Sequence, residues 1–288
     1  MANTIGTSTL SEVWRIKYVQ KKLNLSLRSA LVSEKICNVD RSGAKYISNP
    51  YLTALNANIA TMAGTYTVDT ATTVDDTCTV TDQVESAVHL YEFEESLSRS
   101  DLFKSFIDDM AAAVTEQADK FVLNKVLDGA GESYDTPVGG FTTPANINQI
   151  IADLCGKMAG YAQAYKGLFL VIENTDLTGF IQAGMSNGFT FSDMTLNNGF
   201  AGRYGGVEIY VVRSGTYATG TLGTLSATNS GHRLFGVKGQ ATYAAPNGVH
   251  YDEKKVTQKT GRELSVWMNI GAKVWTPTAN LLCDITIK

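Results

Sequence analysis

The sequence predicts an α+β fold, and three observations predict it. One helical pattern is far longer than the others, a Thr-rich run of short strands stands directly before it, and the C-terminal part is mostly strand. In the long pattern Leu102, Phe103, Phe106, Ile107, Met110, Val114, Phe121, Val122 and Val126 recur at steps of three and four, the period of a helix with one buried stripe. Asp101, Lys104, Asp108, Asp109, Glu116, Lys120 and Lys125 fill the other faces. Ser98, with Asp101 three residues on, reads as an acidic capping box, and Gly129 and Gly131 read as the stop. About 30 residues at about 1.5 Å each make a rod about 45 Å long. Such a rod spans most of a domain.

The remaining elements follow in chain order. Residues 1–9 are small and polar. Over 10–31, Val13, Ile16, Val19, Leu23, Leu27 and Leu31 form a second helical stripe among Lys and Arg, weakened by Asn24, Ser26 and Ser29. Residues 40–50 read as a turn and a short extended piece. From 59 to 97, Tyr66 to Val68, Thr73-Val74, Cys78 to Thr81 and Val84 to Phe93 read as strands, broken by Gly64 and Asp75-Asp76. So much Thr with so little aliphatic bulk describes a thin hairpin without a core of its own, which is marginal alone. After the long helix, a second one is predicted over 146–165, with Ile147, Ile150, Ile151, Leu154, Met158 and Tyr161 on one face. Residues 168–172 read as a strand buried on both faces. Thr175 or Asp176 is placed to cap a short helix through Ile181. Residues 186–206 read as loop, 207–212 as strand, and the Gly/Thr/Ser tract to Gly231 as a long exposed loop. Strands at 233–237, 240–245, 264–275 and 281–287 close the chain.

At 288 residues, 44% apolar and 18% charged, the chain is long enough to bury a sizeable core. Its net charge of −4 argues against wholesale coating of nucleic acid. The charge is uneven, however. Up to Lys45 there are eight Lys or Arg against Glu12, Glu34 and Asp40, a net of +5, so the remainder carries −9. Opposite charges on separate parts of one chain suit copies packed arm against body. The four cysteines (Cys37, Cys78, Cys155, Cys283) are far apart and read as reduced thiols. No apolar run approaches the roughly 18 residues of a membrane helix, and a signal-peptide core is lacking, so folding in a cytoplasm is expected.

The search for chemistry is nearly empty. His89, His232 and His250 lack the spacing of a metal pair. Gly129-Ala130-Gly131-Glu132 begins like a dinucleotide fingerprint, but it follows a helix and has no third glycine. Asp75-Asp76 and Asp108-Asp109 are adjacent pairs whose side chains diverge on a strand or spread over a helix face. No catalytic, cofactor-binding or metal-ligating residue is nominated, and no enzyme activity or cofactor is expected.

The order of pieces resembles the major capsid protein of tailed bacteriophages, with its Hong Kong 97-type coat fold. Gly43-Ala44-Lys45-Tyr46-Ile47-Ser48-Asn49-Pro50 resembles the entry to the extended hairpin called the E-loop. Thr115-Glu116-Gln117-Ala118-Asp119-Lys120-Phe121 resembles the late part of the spine helix, where an Ala-x-x-x-Asp-like pattern is common. Tyr204 to Val212 and His232 to Val237 are similar to axial-domain strand entries and the return to the peripheral domain, and Glu263 to Pro277 to the long peripheral strands. The resemblance implies an N-terminal arm at 1–45, an E-loop at 46–97, a peripheral domain with the spine helix at 98–165, an axial domain at 166–237 and returning peripheral strands at 238–288.

It also implies a mechanical function: pentamers and hexamers closing into an icosahedral head around double-stranded DNA, assembled in the host cytoplasm and resident in the virion. The hairpin would find its missing core on an adjacent copy and the basic arm would reach another. The inter-subunit contact candidates are Trp14, Lys17, Lys21, Lys22 and Arg28 on the arm, and Tyr46, Tyr66, Val68, Val80, Asp75 and Asp76 on the hairpin. Expected partners are further copies of the chain, a separate scaffolding protein, portal and decoration proteins, and DNA held without sequence preference. No membrane partner is expected. No long charged extension precedes the arm, hence the separate scaffold, and no Lys, Asn and Glu match the roles of the cross-link some relatives form. The alternatives are an encapsulin-like nanocompartment shell and a phage tail or adhesin component.

Overall fold

The computed structural model describes residues 31–53, 55, 64, 70–90, 100–161, 167–186, 199–255 and 262–288. The helical stripe up to residue 30, the Ser98 cap, Trp14, Lys17, Lys21, Lys22, Arg28, Tyr66 and Val68 lie outside the described residues. The chain divides into two units. Described residues of the first fall in Gln83–Gln117 and Val249–Met268. The second takes Ser29–Asp82, Ala118–Gly248 and Asn269–Lys288.

The second unit is built on a six-stranded sheet. Its strands are β7 (Glu132–Asp135), β8 (Leu168–Glu173), β9 (Phe200–Tyr204), β10 (Val207–Val212), β13 (His232–Val237) and β17 (Leu282–Thr286), in the order β7-β17-β13-β8-β10-β9. β8 runs parallel to β10 and antiparallel to β13, and β17 runs parallel to β7. Leu168 to Glu173 is buried throughout except for its first residue, as its unbroken apolar run predicts. Over this sheet lie helix α3 (Pro144–Met158) and helix α4 (Leu177–Ser186). α3 starts two residues before the predicted position because Pro144, with no amide to lose, opens it. Its stripe of Ile147, Ile150, Ile151, Leu154 and Met158 is buried, with Tyr161 packed at the edge. Phe141 and Phe180 stack at 5.5 Å between centroids in the same core.

The long helix is α2 (Ser100–Asp128), 29 residues, following the short α1 (Ser33–Ile36). A single apolar stripe describes it only as far as Val114. From Ala118 to Leu127 it is buried around most of its circumference, with the polar Asp119 and Asn124 inside. Asn124 is satisfied there: its amide nitrogen donates to the Thr216 carbonyl at 2.8 Å and its oxygen accepts from the Ala218 amide at 3.2 Å. Gly129 and Gly131 do end the helix, but neither adopts the left-handed conformation of a glycine cap. They are small for a different reason. A Cβ on Gly129 would meet Val274 at 2.9 Å, and one on Gly131 would meet the Ala279 carbonyl carbon at 2.8 Å.

A second sheet has the order β1-β14-β16-β15, with β6 (Asp82–Leu90) also on β16. Its other strands are β1 (Asn38–Asp40), β14 (Ala241–Ala244), β15 (His250–Lys255) and β16 (Arg262–Val274). Within the first unit, β15 pairs antiparallel with the start of β16, and the opposed His250 and Trp267 stack at 4.5 Å. Within the second, β14 takes the end of β16 and β1 lies parallel to β14.

Two sequence expectations are corrected. Phe200–Tyr204 is a strand, not loop, paired antiparallel with β10. The tract to Gly231 is not an open loop: β11 (Thr219–Leu222) and β12 (Leu225–Thr228) form a hairpin with Leu225 and Ala227 buried. Gly223, at φ +59°, opens its two-residue turn, and the carboxylate of Asp82 accepts from the amide and hydroxyl of Thr224 beside it. Just before α4, Asp176 Oδ2 accepts from the Glu173 amide and from Arg233.

Candidate assembly surfaces

Residues 46–52 and 73–79 form a two-stranded antiparallel ribbon. β2 (Tyr46–Ser48) pairs with β5 (Thr77–Thr79), and β3 (Tyr51–Leu52) pairs with β4 (Thr73–Val74) in the same register. Pro50, which has no amide to donate, falls in the gap between the ladders, bridged by Asn49 N to Asp76 O at 2.8 Å. Seven large apolar residues stand exposed among the described residues, and four are here: Tyr46 (62%), Leu52 (63%), Leu55 (60%) and Val74. Within one chain these four side chains stand in water. Each full burial is worth about 1.5–3 kcal/mol.

The root of the ribbon is held firmly. Cys78, Ala244 and Trp275 form a small buried cluster with Ile47 and Val80 against it, and the Trp275 indole donates to Thr242 Oγ1 at 3.0 Å. Gly271 of β16 lets the ribbon approach: a Cβ there would lie 2.7 Å from the Thr79 carbonyl oxygen. Asp76, 8% exposed, accepts from the Thr276 amide at 2.8 Å and pairs with Lys273 at 3.2 Å. Its burial opposes ionisation, but the Thr276 and Lys273 contacts outweigh it and hold the carboxyl below its ordinary range. Thus, of the hairpin candidates, Tyr46 faces outward, Asp75 accepts from the Ser48 hydroxyl, and Val80 and Asp76 are drawn into their own chain. Asp76 thus turns toward its own chain at the root of the ribbon.

Where the N-terminal segment enters the described structure, α1 is fastened to α2 by Asp119, whose Oδ1 accepts from the Val32 and Ser33 amides. Gly239 N then donates to Ile36 O at 2.8 Å, and β1 follows. In the sequence, Asp119 stands out only as part of a helix pattern.

On β10, Glu208 accepts from Arg203 at 2.6 Å, from the Tyr210 hydroxyl at 2.9 Å and from Lys238. Burial pushes its carboxyl up, but Lys238, Arg203 and Tyr210 pull harder and hold it at about 2. The sign follows from the depression: the stability it contributes is present above its ordinary value of 4.5 and is lost as pH falls toward about 2. Urea midpoints of the wild type and Glu208→Gln are therefore expected to differ at neutral pH and to converge as pH falls through that window. Parallel curves would contradict the assignment.

Among the described residues no three His, Cys, Asp or Glu converge as metal ligands, and no helix is long and apolar enough to cross a membrane. All four cysteines are free thiols, with Cys37, Cys78 and Cys283 buried.

No protein-family model and no curated protein matches the sequence. Solved structures do match it. A chain of Mycobacterium phage Che8 aligns over 93% of this chain and 96% of its own, with a TM-score of 0.73 at 11% identity. A chain from the capsid of cyanophage P-SCSP1u aligns over 100% and 97%, with a TM-score of 0.66 at 13% identity. One from the capsid of Myoviridae phage XM1 aligns over 95% and 97%, with a TM-score of 0.66 at 14% identity. Over nearly its whole length the chain shares its α+β fold with phage capsid chains.

Proposed function

We propose that this chain, with the fold of phage capsid chains, is the major capsid protein of a tailed phage. Its copies assemble as pentamers and hexamers into an icosahedral head enclosing double-stranded DNA. The observation that carries this beyond the fold is the ribbon: rooted by Asp76 and the Trp275 cluster, it exposes Tyr46, Leu52, Leu55 and Val74 with no core to receive them. A neighbouring copy supplies that core, and the edge of a two-stranded ribbon supplies backbone groups for it. Tyr66 and Val68 belong to the same contact. The arm residues Trp14, Lys17, Lys21, Lys22 and Arg28 reach a different neighbour, their positive charge meeting the acidic remainder of the chain. A separate scaffolding protein, a portal, decoration proteins and non-specific DNA contact complete the partners. Assembly takes place in the host cytoplasm and the protein's residence is the virion. The work is mechanical, not catalytic.

The paired substitution Tyr46→Asp and Leu52→Asp tests this reading. Both side chains are already in water within one chain, so the variant is expected to fold with an unchanged urea midpoint. Charge placed in the inter-copy contact is expected to abolish particles in light scattering and negative-stain images. A variant that assembles as the wild type does would remove the ribbon from the interface.

A further inference from the structure

The N-terminal segment is fastened to the long helix through a carboxyl group whose partners carry no positive charge. Asp119, 5% exposed, accepts at Oδ1 from the Val32 amide at 3.0 Å and the Ser33 amide at 2.7 Å, and the Ser33 hydroxyl bonds to the same carboxyl. Val32, Ser33 and Ile36 are themselves no more than 2% exposed. Water is thus excluded from both sides of the contact. The titratable groups facing it are Glu34, Lys35 and Cys37 on the fastened segment, Tyr217 from the loop before β11, and Tyr243 on β14. Lys35 is the one cation among these five, and Glu34 beside it opposes its effect.

A carboxylate placed here gives up its hydration for a few hydrogen bonds. A carboxylic acid gives up far less, and its carbonyl oxygen still accepts from both amides. We propose that Asp119 is a proton-operated clasp: in its acid form it holds residues 32–37 against α2 more firmly than in its ionised form, so rising pH loosens the root of the N-terminal segment. Burial is the main cause, raising the carboxyl from 3.8 to about 6 against the pull of the Ser33 and Val32 donors, with Glu34 adding to the rise. A raised folded-state value means that the extra hold is fully present below the ordinary 3.8 and is lost as pH rises through about 6. The clasp lies within one chain, so it stands or falls independently of the shell reading. If that reading holds, the clasp sets how freely an inter-copy arm leaves its own subunit.

Hydrogen exchange on the full chain, corrected for the intrinsic pH dependence of exchange, tests the clasp. Between about pH 5 and about pH 8 the wild-type protection of amides 32–37 is expected to fall about tenfold, while amides of α3 serve as the reference. Asp119→Asn keeps the acceptor oxygen and cannot titrate, so its protection over the same segment is expected to stay flat. Equal slopes in the two proteins, or a flat wild type, would overturn the proposal. Should the Asn variant fail to fold, the carboxyl carbon shift of wild-type Asp119 decides: a titration midpoint near 6 supports the clasp, and one at or below the ordinary 3.8 overturns it.

Discussion

Arg233→Ala is expected to destabilise the second unit by about 3–5 kcal/mol, the cost of breaking a buried ion pair from one side. The Arg233 side chain is 5% exposed and serves three partners at once. Its Nε donates to Asp176 Oδ2 at 2.5 Å, one terminal nitrogen to Glu173 Oε2 at 3.1 Å, and the other to the His232 carbonyl at 2.7 Å. The guanidinium also lies 5.9 Å from the centre of the Tyr217 ring. Removing it strands two carboxylates, of which Asp176 is 3% exposed and Glu173 8%. The damage would spread, because Glu173 Oε1 also accepts from the Gly215 amide at 2.9 Å and so orders the loop after β10. Arg233→Lys is expected to recover only part of the loss, since one ammonium cannot reproduce the fork. Urea denaturation of the purified variant measures the effect. A loss under about 1 kcal/mol would show that the three residues are not the coupled, desolvated group described here.

The same Gly→Ala change is expected to have opposite signs at two positions. Gly179, in α4, faces the backbone of the 3-10 turn Gly140–Thr142: a Cβ there would sit 1.9 Å from the Phe141 carbonyl oxygen. Backbone cannot rotate away as a side-chain tip can. α4 would have to move off, parting Phe180 from Phe141 in the centre of the core. Overpacking at such a site costs about 1–3 kcal/mol or more, and the upper end is expected here. Gly156 is the control. It lies in α3, and a Cβ added there would meet nothing within 4 Å, so alanine is expected to stabilise by about 0.5–1 kcal/mol. Melting temperatures of the two variants check both signs. A Gly179→Ala protein as stable as the wild type would mean that α4 and the turn are not in this contact.

What was legible in the sequence was periodic. The long helix, the α3 stripe and the strands at Leu168–Glu173 and Val207–Val212 all carry apolar patterns, and such patterns are readable before any tertiary arrangement is known. The β11–β12 hairpin was not legible, because Leu222, Leu225 and Ala227 are too few among Gly, Thr and Ser to mark strands. Its position depends on Asp82, 142 residues away from Thr224. The interior polar residues were hidden for the same reason. Nothing local marks Asp119, Asn124 and Arg233 as interior, and the partners that hold them there lie 57 to 105 residues away. The ribbon was legible as a thin element lacking a core, whereas the inward turn of Asp76 required Thr276, 200 residues on. Local pattern fixes elements; distant polar partners decide which charges go inside.

The central claim is that this chain builds a closed shell, and negative-stain electron microscopy of the concentrated, purified protein, with light scattering on the same sample, tests it most directly. Closed particles, or rings of five or six copies, are the expected result. A protein that stays monomeric at high concentration and under crowding, while its urea transition shows it folded, would contradict the account.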